Sequence, residues 1–288
     1  MTQSADLGFI GLGVMGAPMC RNLTSRSGRR VVAFDRSAVS LAAHAGPQAA
    51  SVGALARDCA ILFLCLPSGA HVEAVVAEIL AVPDRRLLMI VDMGTSPVAM
   101  TRILATRLAA EGVTWVDAPI ARTRQAAEDG TLSVMVGATA ADFATLQPLL
   151  ACMASDVTLC GPVGCGQAVK ILNNMVLVET VAALSEALAI GRGVGLDPAI
   201  LFDTLAKGSA DSFALRNHGM KAMLPGVFPE RAFSVAYARK DIGYALELAR
   251  DNGVDAAGAE RGATLLDAAS GAGWGDLYWP VVARLFEK

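Results

Sequence analysis

The sequence predicts an α/β fold in which a doubly wound, mainly parallel sheet is followed by an all-helical C-terminal domain. A glycine-rich turn at residues 11–16 lies between a short apolar run and a helical stretch. Short apolar runs then alternate with helical stretches up to about residue 160, an order that gives parallel strands with helices on both faces of a sheet. The strand pattern ends there and a long helix is predicted from about residue 166. We therefore expect domains at residues 1–162 and 163–288.

The glycine turn, G-L-G-V-M-G, connects a predicted strand at residues 7–11 to a predicted helix at residues 17–25. At this spacing the first glycine permits the tight turn, the second lets the backbone approach a pyrophosphate, and the third allows close packing of helix on strand. The helix N-terminus supplies free N–H groups and a partial positive charge for the phosphates. The turn predicts a Rossmann-type domain that contacts its cofactor through Gly11, Leu12, Gly13, Val14, Met15 and Gly16.

An acidic residue follows the next predicted strand, at residues 30–34. Asp35 stands about twenty residues after the glycine turn, where a carboxylate can accept a hydrogen bond from the 2′-hydroxyl of the adenine ribose. A carboxylate there repels the 2′-phosphate of NADP, whereas the adjacent Arg36 would attract it. We expect both residues to contact the cofactor, which we expect to be NAD, with NADP as the alternative.

Four more strands are predicted at residues 60–66, 87–91, 114–116 and 133–136, with helices at 72–80, 98–111 and 141–153. Thr95, Ser96 and Pro97 are predicted to cap the second of these helices. Ligands bind beyond the carboxyl ends of the strands in such a sheet. The loops at residues 66–68, 92–96 and 118–130 are therefore expected to form the site.

The predicted long helix carries polar side chains in its first turns. Lys170 and Asn174 are four residues apart and share one face of the helix, and Asn173 lies beside them. The helix is apolar on almost every side and must be buried, where an unpaired ammonium group is costly. Either Lys170 reaches solvent beside two hydrogen-bonded amides, or it serves a site. Further helices are predicted at residues 198–206, 213–223, 240–251, 257–269 and 279–286.

Composition argues against several classes of function. The net charge is −3 and no dense cluster of Lys and Arg occurs, so neither nucleic acid nor an anionic membrane is expected as a partner. No uninterrupted apolar run reaches the roughly 18 residues that span a bilayer, and no basic region precedes an apolar block at the N-terminus. We therefore expect a cytoplasmic protein. The six cysteines show no C-x-x-C spacing and only three histidines are present, so no metal site is expected.

Four separated stretches carry a common pattern. They are F-I-G-L-G-V-M-G-A-P-M at residues 9–19, D-A-P-I and D-G-T-L-S-V-M-V-G within residues 117–137, G-x-G-x-x-x-K-x-x-N-N at 164–174, and K-D at 240–241. Together they resemble the β-hydroxyacid dehydrogenase family, which includes 3-hydroxyisobutyrate dehydrogenase and tartronate semialdehyde reductase. The resemblance implies a helical domain like that of 6-phosphogluconate dehydrogenase, and a homodimer or homotetramer.

The same resemblance implies roles for individual residues. Lys170 matches the family's catalytic lysine, which protonates the carbonyl oxygen in reduction and helps to remove the hydroxyl proton in oxidation. Asn174, beside Asn173, matches the amide that orients the substrate, and Thr95 matches a position near nicotinamide and substrate. Three more residues match positions that contact the cofactor: Leu66, Pro67 and Lys240. Desolvation of a lysine near another cation lowers its pKa, which suits acid–base catalysis near neutral pH.

The chain departs from the family in the loop that holds the acid group of the substrate. Many members carry Ser-Gly-Gly after D-A-P-V, whereas Ala121, Arg122, Thr123 and Arg124 follow D-A-P-I here. An Arg-Thr pair at this place resembles the branch that contains sulfolactaldehyde reductase, in which the pair holds a sulfonate. A guanidinium group makes paired hydrogen bonds to an anion, and a hydroxyl adds a further donor. We expect Arg122 and Thr123 to bind a sulfonate or carboxylate; the alternative is that Arg122 faces solvent.

These features predict an NAD(P)-dependent oxidoreductase that interconverts a short β-hydroxy acid, or a hydroxy sulfonate, and its aldehyde or keto form. The expected substrate is a small anionic hydroxy acid or semialdehyde. The alternative is an imine reductase of the same architecture, against which Lys170 argues because imine reductases typically replace that lysine. A non-catalytic cofactor-binding protein on the same fold is a further alternative.

Overall fold

The chain divides into two compact units, Met1–Lys170 and Ile171–Lys288. The computed structural model describes residues 6–230 and 232–287. The first unit holds a sheet with helices on both of its faces, and the second is helical. The sequence predicts this division of structural classes.

Within the described residues, the first unit is built on one sheet of eight strands. They are β1 (Asp6–Ile10), β2 (Val31–Phe34), β3 (Cys59–Leu64), β4 (Met89–Asp92), β5 (Thr114–Asp117), β6 (Ile120–Ala121), β7 (Leu132–Gly137) and β8 (Ala154–Gly161). Their order is β2-β1-β3-β4-β5-β7-β6, with β8 paired to β7. Strands β1 to β5 are parallel, β7 is antiparallel to β5 and β6, and β8 is parallel to β7. The predicted doubly wound, mainly parallel sheet is confirmed.

Seven helices connect these strands in the part of the unit that the structure describes. They are α1 (Gly16–Arg26), α2 (Ala38–Ala42), α3 (Val52–Asp58), α4 (Gly69–Leu80), α5 (Val98–Ala109), α6 (Arg124–Asp129) and α7 (Ala140–Leu150). The sequence does not predict α2, α3, α6, β6 or β8. These elements are short or exposed: α2 has no buried residue, and β8 fully buries only Ala154. Apolar periodicity, which reveals the other elements, is absent where little is buried.

Alternate residues of the central strands pack on opposite faces of the sheet, as strand geometry requires. Leu7 and Phe9 of β1 belong to the core beneath α1 and α7, where Phe9 stacks on Phe63 at 6.3 Å between ring centroids. Ile10 and Leu62 belong to the core beneath α4 and α5. Burial on both faces makes these strands apolar throughout, which is why the sequence reveals them.

The second unit contains most of α8 (Cys165–Gly193), then α9 (Pro198–Leu205), a π-helix (Leu215–Met223), α10 (Val235–Asp251), α11 (Ala257–Gly271) and a 3₁₀-helix (Trp279–Phe286). Within its described residues the second unit has no β-strand, and its only β-pairing is in isolated bridges. The sequence predicts helices at residues 213–223 and 279–286 without specifying their type, and the structure has a π-helix and a 3₁₀-helix there. Over two or three turns, the apolar patterns of α-, π- and 3₁₀-helices are too similar to distinguish.

Helix α8 is long and apolar enough to cross a membrane, judged by length and composition alone. Its most apolar window has a mean hydropathy of 1.4, and 44% of that window is buried inside the structure. The central helix of a soluble protein meets the same criterion. Lys170, Glu179 and Glu186 place charges along its length.

Candidate active site

The glycine turn between β1 and α1 has the geometry that its sequence predicts. Gly11 has a φ of 100°, and a Cβ atom there would lie 2.3 Å from the carbonyl oxygen of Cys65. A Cβ atom on Gly16 would lie 1.9 Å from the carbonyl oxygen of Gly11, so only glycine lets α1 pack this closely. A Cβ atom on Gly13 would meet nothing within 4 Å. The turn is closed at its first and third glycines and open at the second, where a pyrophosphate would approach the backbone.

The N-terminus of α1 suits an anion. Its N-cap residue, Met15, makes no capping hydrogen bond through its side chain, and the first turn contains no acidic residue. A helix N-terminus of this kind attracts anions through its N–H groups and its partial positive charge. The residues of the turn therefore fit the phosphates of a dinucleotide.

Asp35 follows β2 and shapes the glycine turn. Its Oδ2 accepts a hydrogen bond from the N–H of Leu12 at 2.6 Å, and its Oδ1 accepts one from the N–H of Ser37 at 2.7 Å. A carboxylate has about four lone-pair positions, so its oxygens retain capacity for a ribose hydroxyl. Arg36 is ion-paired with Glu78 of α4, and both side chains are largely exposed. The guanidinium group predicted to contact a cofactor phosphate is thus engaged by a carboxylate.

Leu66 and Pro67 follow β3 at the same edge of the sheet as the glycine turn. Leu66 is half-buried and Pro67 is exposed. A Cβ atom on Gly94, in the loop after β4, would lie 2.9 Å from the carbonyl oxygen of Leu66. Because Gly11 closely approaches Cys65, the structure brings together the three loops that follow β1, β3 and β4.

The loop after β4 carries Thr95 and is held by one amide side chain. Gln167 of α8 is fully buried. Its Nε2 donates to the carbonyl oxygen of Gly94 at 2.9 Å, and its Oε1 accepts from the N–H of Ser96 at 3.0 Å. These two groups belong to the peptide bonds on either side of Thr95. Gln167 therefore fixes the backbone of a residue that the sequence predicts to lie near nicotinamide and substrate.

Asp92, at the end of β4, supports the same loop. Its Oδ2 accepts from the hydroxyl of Ser96 at 2.8 Å and from the Nε2 of Gln167 at 3.2 Å, and its Oδ1 accepts from the N–H of Gly94 at 3.0 Å. The predicted capping of α5 by Ser96 is wrong, because this hydroxyl is bonded to Asp92. Pro97 is the N-cap residue and provides no side-chain cap.

Asp117, at the end of β5, binds the backbone at the start of α8. It is fully buried, and its two carboxylate oxygens accept from the N–H of Gly164 at 2.7 Å and the N–H of Gln167 at 2.8 Å. Burial raises the pKa of Asp117 above its ordinary value, and the backbone donors oppose that rise. Its carboxylate fixes where α8 begins.

Lys170 lies on α8 three residues after Gln167 and is half-buried. Three residues correspond to about 4.5 Å along a helix axis. Lys170 therefore stands on the turn that follows the segment fixed by Asp117 and Gln167. Three and four residues further along the same helix, Asn173 and Asn174 are the first predicted site residues that the second unit carries.

Within the second unit, Asp241 contacts two of the predicted site residues, Asn174 and Lys240. Its Oδ2 accepts from the Nδ2 of Asn174 at 2.6 Å, and the Nδ2 of Asn173 donates to the Oδ1 of Asn174 at 3.0 Å. The Nζ of Lys240 lies 2.9 Å from the Oδ1 of Asp241, as an ion pair rather than a directed hydrogen bond. Lys240 also lies over the ring of Tyr244. The structure brings the K-D and N-N sequence motifs together.

Arg122 is engaged by protein groups in a way that the sequence does not predict. Its φ is 87°, in the left-handed region that a glycine adopts readily. Its guanidinium donates to the carbonyl oxygen of Thr131 at 2.6 Å, the hydroxyl of Ser155 at 2.7 Å and the carboxylate of Asp156 at 2.6 Å. The side chain thus ties its loop to β8 instead of simply facing solvent.

The two residues after Arg122 take part in local structure. The Oγ1 of Thr123 accepts from the N–H of Ala126 at 3.3 Å, which makes Thr123 the N-cap of α6. Arg124 lies 3.8 Å from Glu128 across one turn of that helix and is largely exposed. The Thr123 hydroxyl keeps its own proton for donation while its oxygen caps the helix.

Sequence reasoning gives no role to four polar residues that hold these segments: Asp92, Asp117, Gln167 and Asp241. All four are fully or almost fully buried. The two strand-end acids carry a usable signal, since a carboxylate directly after an apolar parallel strand lies at the ligand-binding edge of the sheet. Gln167 carries none, because a single amide in a buried helix does not reveal its partners.

Two family models match the chain, one for each part. The model described as the NAD binding domain of 6-phosphogluconate dehydrogenase matches residues 6–161. The model described as NAD-binding of NADP-dependent 3-hydroxyisobutyrate dehydrogenase matches residues 164–281. Both descriptions concern binding of a nicotinamide dinucleotide, as the glycine turn predicts.

Characterised dehydrogenases are similar to this chain over most of their length. The 2-(hydroxymethyl)glutarate dehydrogenase of Eubacterium barkeri is 37% identical over 88% of this chain and 85% of its own. The 3-hydroxyisobutyrate dehydrogenase of Pseudomonas aeruginosa is 34% identical over 84% of each chain. The structure of the Mycobacterium tuberculosis 3-hydroxyisobutyrate dehydrogenase with L-serine matches with a TM-score of 0.88, at 28% identity over 99% of both chains.

Imine reductases share the fold at greater distance. A variant of the Myxococcus stipitatus imine reductase in complex with NAD+ matches with a TM-score of 0.65 and 17% identity, over 99% of this chain and all of its own. At that identity the likeness concerns the fold alone.

Proposed function

The chain belongs to the 3-hydroxyisobutyrate dehydrogenase family of NAD(P)-dependent hydroxyacid dehydrogenases, and from this premise we propose its reaction and its catalytic residue. The reaction interconverts a short β-hydroxy acid, or a hydroxy sulfonate, and its aldehyde or keto form. NAD(P), when bound, supplies or accepts the hydride. Lys170 is the acid–base group. This assignment rests on its place in α8, one turn after the segment that Asp117 and Gln167 fix.

Lys170 moves one proton at the reacting oxygen. In reduction its ammonium group donates a proton to the carbonyl oxygen, and the neutral amine then regains a proton from solvent. In oxidation the amine accepts the hydroxyl proton. The positive charge also stabilises the negative charge that develops on oxygen. Asn174 orients the substrate, and its hydrogen bond to Asp241 supports this role by holding the amide in one orientation.

Substitution of Lys170 tests the reaction directly. Lys170→Ala should lower kcat by about 100-fold or more, the range expected for loss of general acid–base catalysis. NADH binding, measured by fluorescence titration, should survive. Lys207→Ala is the matched control, because Lys207 is an exposed lysine that follows α9 and pairs with its neighbour Asp203. A Lys170→Ala enzyme that kept more than a tenth of wild-type kcat would exclude Lys170 as the acid–base group.

The substrate carries a strongly anionic head group bound by the loop at residues 121–123. Support comes from the backbone of this loop. Arg122 stands where many family members carry a glycine of the acid-binding loop, and it keeps a glycine-like φ. To bind the substrate, its guanidinium must release Asp156. Breaking an exposed ion pair of this kind costs little free energy. Asp156→Asn should therefore lower KM for the preferred acid several-fold, and Arg122→Ala should raise it. The assay compares sulfolactaldehyde with carboxylate semialdehydes, and an unchanged KM in both variants would exclude the guanidinium.

The preferred cofactor is NAD. Asp35 presents a carboxylate beside the glycine turn, and Glu78 holds Arg36 in an ion pair. Asp35→Ser should shift the ratio of kcat/KM for NADH over NADPH toward NADPH. Glu78→Gln should raise kcat/KM for NADPH about 2- to 5-fold by releasing Arg36, as expected for a surface ion pair. Wild-type preference for NADPH would overturn the proposal.

The enzyme assembles as a homodimer or homotetramer through α8. Leu172, Val176 and Ile190 share one face of this helix and are 43%, 57% and 68% exposed. Val176→Glu should dissociate the assembly in light-scattering measurements of mass, whereas Val39→Glu, at an exposed site of the first unit, should not. A monomeric wild-type protein would contradict this.

A further inference from the structure

Gln167 makes an unusual set of contacts for a single side chain. Its amide binds the carbonyl oxygen of Gly94 and the N–H of Ser96, at 2.9 and 3.0 Å, and so grips both peptide groups around Thr95. Its Nε2 also reaches the carboxylate of Asp92 at 3.2 Å. The side chain has no solvent exposure, so each of these bonds forms in a medium of low polarity, where loss of a partner is costly.

The backbone of Gln167 is held as firmly as its side chain. Its N–H donates to Asp117 at 2.8 Å, and the same carboxylate accepts from the N–H of Gly164 at 2.7 Å. A Cβ atom on Gly166 would lie 2.4 Å from the carbonyl oxygen of Met135, so the helix start also packs directly on β7. One residue therefore connects the loop after β4, the end of β5 and the first turn of α8.

We propose that Gln167 is a positioning residue for the reaction, which couples the Thr95 loop to the turn of α8 that carries Lys170. It touches neither substrate nor cofactor in this role. It acts by fixing the backbone of Thr95 and the start of the lysine's helix in one arrangement. The inference rests on the proposed function of Lys170, because the arrangement matters only if that ammonium group must meet the reacting oxygen. Small displacements of such groups cost large factors in rate.

A purely structural role would predict a different pattern of effects. Loss of buried hydrogen bonds lowers the free energy of unfolding whatever the function of the site. A positioning role lowers kcat as well, and leaves cofactor binding at the glycine turn unchanged. Asn22 supplies the matched control, since its buried amide donates to the carbonyl oxygens of Ala127 and Glu128 in the same unit.

The test compares Gln167→Met and Gln167→Glu with Asn22→Leu. Gln167→Met keeps the length of the side chain and removes its hydrogen bonds, and should lower kcat at least tenfold while the Kd for NADH stays within twofold. Asn22→Leu should lose comparable stability in urea and keep kcat within twofold. A Gln167→Met kcat within twofold of wild type, or an equal loss in Asn22→Leu, would overturn the proposal.

Gln167→Glu keeps the proposal testable if the methionine variant fails to fold. The introduced carboxyl group, when protonated, can accept from Ser96 and donate to Gly94, whereas its ionised form faces the carboxylate of Asp92. The kcat of this variant relative to wild type should rise as the pH is lowered from about 8 to 6, because burial beside a carboxylate raises the pKa of a glutamate. A low and flat ratio would count against positioning by this side chain.

A double substitution separates this inference from the proposed function. If Gln167 acts through Lys170, then Gln167→Met should lower kcat little further in a Lys170→Ala background. Full additivity would overturn the coupling. If Lys170→Ala itself kept wild-type kcat, the proposed function would fail. Collapse of Lys170→Ala with an intact Gln167→Met would reject the positioning role alone.

Discussion

Two aspartates of the first unit bind their partners in opposite environments. Asp117 at the end of β5 is fully buried and is bound by neutral backbone N–H groups at 2.7 and 2.8 Å. Asp156 in β8 is 56% exposed and is bound by the guanidinium of Arg122 at 2.6 Å and the hydroxyl of Ser155 at 2.8 Å. Burial raises the pKa of Asp117, whereas the hydrogen bonds of Ser155 and Arg122 lower the pKa of Asp156.

The contrast shows that the charge of its binding partner does not indicate how much an aspartate contributes to the stability of this unit. The exposed pair joins opposite charges, but water competes for both partners and salt screens them. The buried carboxylate is bound by neutral groups, yet two backbone donors of α8 and the turn before it depend on it where water cannot replace it. The residues that define the candidate site are therefore supported mainly by neutral groups in the interior.

The largest expected effect comes from removing the buried carboxylate. Asp117→Ala should lower the free energy of unfolding by about 3 kcal/mol or more, since it leaves two buried N–H groups without an acceptor. It should also lower kcat, because the start of α8 loses its cap. Urea denaturation and steady-state kinetics measure the two effects. Asp156→Ala is the control and should leave both nearly unchanged; equal losses in the two variants would break the comparison.

The second unit contains a buried imidazole, which extends the comparison between buried and exposed ionisable groups. His218 is buried, its Nδ1 is hydrogen-bonded to the hydroxyl of Tyr278, and burial lowers its pKa from 6.5 to about 4. The unfolded chain then binds more protons between these values, so stability is complete above pH 6.5 and falls as the pH drops. We expect a loss of about 2 kcal/mol between about pH 7.5 and 5 in urea unfolding.

His218→Phe should remove this pH dependence. His71→Gln should keep it, because His71 is an exposed histidine of α4 bonded to Ser68. If His218→Phe retained the wild-type slope, burial of this imidazole would not be its source.

The smallest effect is the most direct measure of the contrast. Carboxyl resonances followed by NMR should give Asp117 a pKa above 3.8 and Asp156 a pKa below 3.8. The corresponding contributions to stability have opposite signs: that of Asp117 falls as the pH rises above 3.8, whereas that of Asp156 is lost as the pH falls below 3.8. Shifts in the same direction would show that burial does not separate the two sites.

Elements whose residues are buried could be predicted from the sequence. The central strands are apolar throughout because both of their faces are covered, and the glycine turn follows from the close approaches of Gly11 and Gly16. Strand β8 could not be predicted, because it lies exposed and fully buries only Ala154. Sequence patterns thus reveal the elements that are buried, and they do not reveal the elements that lie at the surface.

The sequence predicts the motifs of the site but not the hydrogen bonds and ion pairs that connect them. The K-D and N-N motifs are far apart in sequence, and only the structure shows that Asp241 bonds Asn174 and pairs with Lys240. Gln167 could not be found because its importance lies in three-dimensional contacts with peptide groups near Thr95. The protein partners of Arg122 could not be foreseen, because Ser155 and Asp156 belong to a strand that the sequence does not predict.

The backbone of Arg122 bears on how this loop can change in evolution. A non-glycine residue with a φ of 87° carries strain on the order of 1 kcal/mol, which a glycine would relieve. The same exchange would remove an ion pair that contributes little in water. Losses and gains are therefore small and opposite, so a lineage could pass between arginine and glycine here without a stability barrier. Which residue persists would be decided by the acids available to the cell.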